Sequence, residues 1–304
     1  MGNPPAENMD LSPFVALVIR ISNHLQPHSK VNLALWKKAV RDAWLQLAVS
    51  GTILVLFSWL FVWLMSLLKI GAWSSLLSLV PKVFQPLLDV PLADLATPTG
   101  QLSVLYVHVI TMLVCIGWAV GRGSDSISGE INRGTMDLIL SLPVRRATVM
   151  AVPAVVATAG AAVLAGSVWL GTWVGVMTVE LQGDASLVKL SAGAINLFCL
   201  TFCLTGITTL VSSRSRDRWR TIWTTGGFYI VSLIIKMVAR LWKEGQWLKY
   251  LSFLTPFQPQ ELILMKTSTL AVALKYNGTL VGLGLLCYLA AAIVLSRRDI
   301  PAAR

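Results

Sequence analysis

The sequence predicts an all-α polytopic membrane protein with six transmembrane helices, and two observations support that fold class. The 304 residues are 55% hydrophobic and only 13% charged, with a mean hydropathy of +0.70, whereas about a quarter of the residues in a soluble chain are charged. Apolar runs that reach the roughly 20 residues needed to cross a bilayer recur along the chain. These features argue against a soluble enzyme, a disordered chain and a nucleic-acid-binding domain.

Six apolar runs qualify as spans and define a transmembrane domain over residues 45–296. The fifth run is the weakest, because Lys236 and Arg240 lie at its end. The predicted spans are 45–68, 102–121, 149–175, 191–212, 219–238 and 276–296.

The basic residues predict the orientation of these spans. Sixteen of the 25 Lys and Arg residues lie before the first span, in the second-to-third and fourth-to-fifth loops, or after the last span. Short cytoplasmic loops carry the excess of Lys and Arg in membrane proteins. We therefore expect a multi-pass protein of the cell (inner) membrane with both termini in the cytoplasm. The net charge of +11 then reflects topology and contact with membrane lipid, and it does not indicate a nucleic-acid partner.

The segments outside the spans have distinct patterns. Residues 1–44 are predicted to be a cytoplasmic N-terminus, in which alternating apolar and basic positions over 11–41 indicate an interfacial amphipathic helix. The outer loops, 69–101 and 241–275, contain prolines that break long helices, and we interpret both as interfacial or re-entrant caps. Residues 297–304 form a cytoplasmic tail.

Ionisable side chains are almost absent from the predicted spans. No Asp or Glu falls within them, and the candidates for a functional group are His108 in the second span and Lys236 near the end of the fifth. His108 is either a proton relay or, more commonly for a lone histidine, a hydrogen-bonded side chain within the bundle. Lys236 is expected to extend outward to the membrane surface. A carrier driven by an ion gradient is therefore disfavoured but stays open as an alternative.

Catalytic and metal-binding motifs are also missing. The Gly-rich string at 121–129 lacks the lysine of a phosphate-binding loop and does not follow a strand. Cys199 and Cys203 share one helical face and could form a soft-metal pair, but small residues for helix packing need no metal. We therefore predict no catalytic residue, no metal site and no cofactor on this chain.

The second-to-third loop, about 122–148, is the most distinctive stretch. Gly134-Thr135 is a natural start for a short amphipathic helix, with Thr135 as its cap and Asp137 in the first turn. Met136 and the residues that follow it give an apolar stripe at helical spacing, and Pro143 ends it. Such a helix lies on the lipid surface or docks into a groove on a soluble subunit.

These residues resemble a known signature. Glu130-x-x-x-Gly134-Thr135 with Leu138, Ser141-Leu142-Pro143-Val144 and Arg146 is similar to the loop motif of type-2 ATP-binding-cassette permeases. Arg297-Arg298-Asp299-Ile300 resembles the family's closing motif, and Leu251-Ser252-Phe253 with Pro256-Phe257 resembles a third recurrent segment.

The resemblance implies a permease that pairs with a separate ATPase subunit. That subunit would bind ATP and Mg, so this chain would not itself be an enzyme. We further expect a homodimer that exports its substrate by alternating access, and the neutral, apolar spans suit a hydrophobic or amphiphilic substrate. A gradient-driven carrier and a membrane anchor for a soluble complex are the alternatives.

The same resemblance assigns contact residues. The loop would be the coupling helix that docks on the ATPase, and a basic turn between the fourth and fifth spans would make a second contact, although cytoplasmic topology explains its arginines equally well. The coupling-helix contacts would be Glu130, Arg133, Gly134, Thr135, Met136 and Asp137, and the second contact would be Arg214, Arg216 and Arg218.

Overall fold

The computed structural model describes residues 33–67, 90–136, 146–181, 183–242, 244–265 and 270–297, with isolated positions between 73 and 87. The predicted interfacial helix before residue 33 and the tail after Arg297 lie outside these residues. The described part of the chain is helical and contains no strand.

Six helices are long and apolar enough to cross a membrane, the second of them together with the short turns on either side of it. The predicted fold class is therefore confirmed. We number the helices α1 (Leu33–Leu67), α2 (Val109–Ser124), α3 (Arg146–Thr178), α4 (Leu187–Arg214), α5 (Arg218–Leu241) and α6 (Leu270–Arg297).

Helix α1 differs from the sequence-based boundary at residue 44. It runs from Leu33 to Leu67 without interruption, so the described end of the N-terminal segment and the first span are one helix. The physical reason is that neither Gly nor Pro occurs between residues 33 and 50, and nothing else in that stretch interrupts helical hydrogen bonding.

Side-chain caps fix where three of the helices begin. Asp217 accepts a hydrogen bond from the Trp219 amide at 3.0 Å and starts α5. The Ser186 hydroxyl accepts a hydrogen bond from the Lys189 amide at 3.4 Å and starts α4. The His108 Nδ1 atom accepts from the Ile110 amide at 3.3 Å at the start of α2. Each cap satisfies one of the amides that a helix leaves unpaired at its first turn.

Helix α4 is the centre of the bundle and is the most buried of the six. It packs against α6, α2 and α3. Where α4 and α6 cross, a Cβ built on Gly206 would lie 2.7 Å from the Gly284 carbonyl oxygen, so the two backbones are in direct contact. Helix α5, by contrast, is the least buried span.

The segment between α5 and α6 folds back onto the bundle. It contains short helices at Gln246–Tyr250 and Pro259–Leu264, and Ile263 is fully buried. Asn196 of α4 holds it in place, because its side-chain oxygen accepts from the Gln258 amide at 3.0 Å and its amide group donates to Asn277 at 2.7 Å. This segment closes the end of the bundle at which α4 starts.

The stretch before α2 is also broken into short helices by prolines. These helices are Gln85–Leu87, Leu92–Leu95, Pro98–Ser103 and Val104–Val107. Thr97 caps the third by accepting a hydrogen bond from the Gly100 amide at 3.0 Å, with Pro98 in its first turn. The described helices in both loops are short, as the prolines predict.

Candidate functional site

The loop motif begins where α2 ends in an irregular turn. Residues Asp125–Gly129 form a π-helical turn, and Glu130–Asn132 return to α-helical geometry. A π turn widens the backbone by one residue and is frequently found at functional sites. Here it places Asp125 and Glu130 next to the same arginine.

Gly134 terminates the short helix Glu130–Asn132. The sequence predicted it only as the start of the next helix. Its φ angle is +69°, a left-handed conformation that glycine adopts readily. The Gly134 amide donates to the Ile131 carbonyl at 3.0 Å, and the Thr135 amide donates to the Glu130 carbonyl at 3.1 Å. These two bonds form a Schellman cap. Met136 is already helical, and the remainder of the predicted coupling helix, including Asp137, lies outside the described residues.

Asp125 is a buried acidic residue surrounded by three arginines. Only 8% of its surface is exposed. Its carboxylate accepts a hydrogen bond from Arg133 at 2.6 Å and lies 3.5 Å from Arg122 and 3.7 Å from Arg218. Because Arg218 begins α5, Asp125 connects the end of α2 to the start of α5.

Glu130 makes the corresponding connection to α1. It is 7% exposed, forms an ion pair with Lys38 of α1, and accepts a hydrogen bond from Arg133 at 2.8 Å. The Thr135 hydroxyl also donates to it, at 2.5 Å. Partial burial alone would lower the pKa of the Arg133 guanidinium, but its hydrogen bonds and attraction to Asp125 and then Glu130 outweigh burial and raise that pKa.

These contacts form a continuous network, which we call the ionic cluster. Lys38 completes it by pairing with Asp42 at 3.3 Å, and Arg122 donates to the Asp42 carbonyl at 3.2 Å. Charge-assisted hydrogen bonds of this kind are stronger than neutral ones. The members are Lys38, Asp42, Arg122, Asp125, Glu130, Arg133 and Arg218.

A row of buried hydroxyl groups joins the same helices beside the cluster. The Ser128 amide donates to the Ser212 hydroxyl of α4 at 2.8 Å, and the Ser128 hydroxyl lies 3.0 Å from the Thr221 hydroxyl of α5. All three side chains have no exposed surface. The π turn is therefore hydrogen-bonded directly to both α4 and α5.

Met136 packs into a small separate core at this end of the bundle. It is 2% exposed and lies with Ile127, with Val149 and Met150 of α3, and with Leu295 of α6. The start of the predicted coupling helix is thus attached to α3 and α6 by apolar packing.

The structure brings the predicted contact residues together, but it places them differently with respect to solvent. Glu130 and Met136 are buried inside the subunit, whereas Arg133 and Gly134 are exposed and Thr135 is half-buried. In the second predicted contact, Arg214 and Arg216 are exposed and Arg218 belongs to the ionic cluster.

Sequence reasoning missed Lys38, Asp42, Arg122 and Asp125 as members of the site. Lys38 is one of the basic residues that precede the first predicted span, and its i,i+4 spacing to Asp42 is typical of a helical ion pair. Asp125 lies within the Gly-rich string at 121–129, which was considered only as a phosphate-binding loop. The available signal was that it is an acidic residue between two arginines, Arg122 and Arg133, at the end of an apolar run.

Other candidate residues have structural contacts. His108 caps α2 through Nδ1 and packs against Phe57, with 4.8 Å between ring centroids. Lys236 extends toward the segment between α5 and α6, where it donates to the Phe257 carbonyl at 2.7 Å. Cys199 and Cys203 are buried free thiols, and the described residues contain no group of three or more potential metal ligands.

The fold and this site define a polytopic α-helical membrane protein with a charged network linking three spans at one end. Residues 34–300 match the model of the ABC-2 family transporter proteins, so the chain belongs to that family. The predicted family resemblance is thereby confirmed, and membership implies association with an ABC ATPase. No curated protein and no solved structure shows a significant match to the chain.

Proposed function

We propose that this chain is the permease subunit of an ABC exporter, and that the ionic cluster transmits the movement of a separate ATPase to the spans. The observation that supports this is the position of the cluster. Two of its members, Glu130 and Arg133, belong to the loop motif, and through Asp125 and Glu130 the cluster holds α1, α2 and α5 together. ATP and Mg would bind to the partner, so the chain itself carries no catalytic residue in this proposal.

In this proposal the exposed part of the loop contacts the ATPase and the buried part transmits the force. Arg133, Gly134 and Thr135 would face the partner, as would the loop residues that follow, including Asp137. Glu130 and Met136 would hold the loop against the helices of its own subunit, because both side chains are buried. Exposed Arg214 and Arg216 would form a second, smaller contact.

The transport cycle would be a rigid-body change of the helices. Closure of the ATPase dimer would push the two coupling loops of a homodimer, and the ionic cluster would carry that movement to α1 and α5. The substrate would be hydrophobic or amphiphilic, since the spans are apolar. The cluster would lie on the cytoplasmic side of the cell membrane, as the distribution of Lys and Arg predicts.

The direct test is co-purification of the ATPase with variants of Gly134. Gly134→Trp would place a large side chain on the proposed contact surface, where nothing lies within 4 Å of a Cβ, and we expect it to abolish co-purification. Gly134→Asn keeps a residue that tolerates positive φ and should retain the partner. Gly278→Trp, at an equally open position on α6, is the control for tryptophan insertion. Equal recovery of the ATPase with both Gly134 variants would overturn the contact assignment.

Two alternatives are tested in the same system. A gradient-driven carrier would depend on His108, and His108→Asn removes the titratable ring while keeping a capping side chain. We expect transport to be unchanged in that variant. A membrane anchor would keep its partner but move no substrate, so transport that stops when ATP hydrolysis by the partner is abolished excludes it.

A further inference from the structure

An apolar groove lies between the first half of α1 and the facing side of α3. It is lined on α1 by residues that include Val40, Trp44 and Gly51 and on α3 by Val156 and Val163, with no charged side chain among them, and its volume is about 310 Å³. That is at the lower end of the range of small-molecule binding sites. Trp44 is 38% exposed and Val163 is 42% exposed, so the groove is open to the surroundings of the bundle. We call it the α1–α3 groove.

Close packing of the two helices ends this groove toward the middle of the bundle. A Cβ built on Gly51 would lie 3.4 Å from the Ser167 hydroxyl oxygen, and one built on Gly171 would lie 2.5 Å from the Val55 carbonyl oxygen. Small α1 side chains, Ala43 among them, line the groove before this crossing. The α1–α3 groove is therefore closed at its deep end and extends from there toward the start of α1.

Two basic residues lie beside the other end of the α1–α3 groove. Lys37 precedes Val40 by three residues, and Arg41 precedes Trp44 by three residues. Residues three apart are neighbours on the surface of a helix, so Lys37 and Arg41 share a face of α1 with the first groove residues. Both side chains are exposed.

No acidic group in the described part of the chain neutralises these two cations by direct contact. Neither side chain makes an ion pair or a hydrogen bond there. The acid that follows Arg41 is Asp42, whose carboxylate is paired with Lys38 at 3.3 Å. Lys37 and Arg41 are therefore available to an anion from outside the protein.

The length of the α1–α3 groove fits one leaflet of a membrane. From Val40 to Gly51, α1 rises about 16 Å at about 1.5 Å per residue, which is half of the roughly 30 Å of bilayer hydrocarbon. Residues 43–67 contain no charged side chain, so the basic pair lies where α1 leaves the hydrocarbon. The two cations are thus at headgroup level, and the groove is at the depth of the acyl chains.

We propose that the α1–α3 groove binds a phospholipid with an anionic headgroup, taken from the leaflet at this end of the bundle. Lys37 and Arg41 bind the headgroup, the apolar walls bind an acyl chain, and the Trp44 indole lies between them, at the level that tryptophan favours in membranes. A zwitterionic lipid brings its own cation and gains less from the basic pair. The site does not depend on the proposed function, because all of its residues belong to this chain.

The headgroup is tested by native mass spectrometry of the full chain in mild detergent, with phosphatidylglycerol or phosphatidylcholine of the same acyl chains. We expect several-fold greater retention of phosphatidylglycerol. Lys37→Gln and Arg41→Gln should each reduce that retention toward the value for phosphatidylcholine, without changing the melting temperature measured in the absence of added lipid. Arg297→Gln is the matched control, because Arg297 is exposed at the end of α6 that packs beside Met136 and does not line the groove.

The acyl chain is tested by two tryptophan substitutions on α3. Val163→Trp should fill part of the α1–α3 groove and reduce retention of both lipids. Leu170→Trp is its control, because Leu170 lies two turns farther along the same face, is 44% exposed and is outside the groove. Inorganic phosphate alone should not displace phosphatidylglycerol from the wild type, since phosphate has no acyl chain.

Five results would overturn the proposal. The first two are equal retention of the two lipids by the wild type and a loss in Arg297→Gln as large as in Arg41→Gln. Equal retention by the two tryptophan variants would place the lipid outside the groove. Displacement by phosphate would mean a site for free anions, and loss of a dimer in Val163→Trp alone would assign the groove to a second copy of the chain.

Discussion

Arg133 donates a hydrogen bond to Asp125 at 2.6 Å across the π turn that follows α2. The same guanidinium donates to Glu130 at 2.8 Å, so one side chain fixes both carboxylates relative to each other. Through those carboxylates it is connected to α1 by Lys38 and to α5 by Arg218. The loop motif is therefore attached to two other spans before any partner binds.

The first prediction concerns Asp125, because its removal leaves three arginines without their shared anion. We expect Asp125→Asn to lower the free energy of unfolding by about 2–3 kcal/mol, the cost of breaking a buried, charge-assisted contact. Thermal unfolding of the purified protein in detergent measures the effect. The control is Asp184→Asn, since Asp184 is exposed between α3 and α4 and should be neutral. Equal melting temperatures for the two variants would show that the arginines do not need Asp125.

The second prediction compares two adjacent lysines on α1. Lys38 pairs with Glu130 and Asp42, whereas the side chain of Lys37 is exposed. Lys38→Met should destabilise the protein by about 1 kcal/mol, a modest value because the lysine is itself partly exposed to solvent. Lys37→Met should leave stability unchanged. If the proposed transmission is correct, Lys38→Met also lowers ATPase-driven transport, and a variant with full transport despite lower stability would contradict that role.

The third prediction isolates the conformation of Gly134 from its packing. Nothing lies within 4 Å of a Cβ at Gly134, but its φ is +69°. Gly134→Ala should therefore cost about 1 kcal/mol through backbone strain alone. Gly117 is equally open but helical, so Gly117→Ala should stabilise α2 slightly. Opposite shifts in melting temperature are expected, and a neutral Gly134→Ala would show that the Schellman cap does not contribute to stability.

The six spans were predictable because each is a long apolar run, and run length and hydropathy depend on sequence alone. Their ends were less predictable. Residues before 45 look too polar to belong to a span, yet α1 already includes residues from Leu33 onward, because no glycine or proline interrupts its backbone hydrogen bonding between residues 33 and 50. The Schellman cap at Gly134 was missed for a similar reason: a Gly-Thr pair suits the end of one helix as well as the start of the next.

The site was predictable only where local sequence spacing carries the signal. Glu130, Gly134 and Thr135 are linked by motif spacing, and they do lie together. The Lys38–Glu130 pair joins residues 92 positions apart, and no periodicity specifies which basic residue of the N-terminus meets which acid. The π turn that brings Asp125 next to Arg133 is likewise hydrogen-bonded to Ser212 and Thr221, and sequence spacing does not reveal these contacts.

The last prediction tests which of the glycine pairs spaced four apart bring helices together. The pairs are Gly117 and Gly121, Gly171 and Gly175, and Gly278 and Gly282. Only the second pair makes a close contact with the backbone of another helix. A Cβ on Gly171 would lie 2.5 Å from the Val55 carbonyl oxygen of α1, and a Cβ on Gly175 would lie 2.7 Å from the Val62 side chain. The corresponding positions at Gly117, Gly278 and Gly282 are open, so spacing alone does not identify a contact.

Gly171→Ala should therefore push α1 away from α3 and destabilise the protein by about 1–3 kcal/mol, as overpacking does. Gly166→Ala on the same helix is the matched control, because nothing lies within 4 Å of that position. There the substitution should be neutral or stabilising by up to about 1 kcal/mol, since alanine is the better helix former. Melting temperatures in detergent should move in opposite directions. A Gly171→Ala variant as stable as Gly166→Ala would mean that α1 and α3 are not in backbone contact at this crossing.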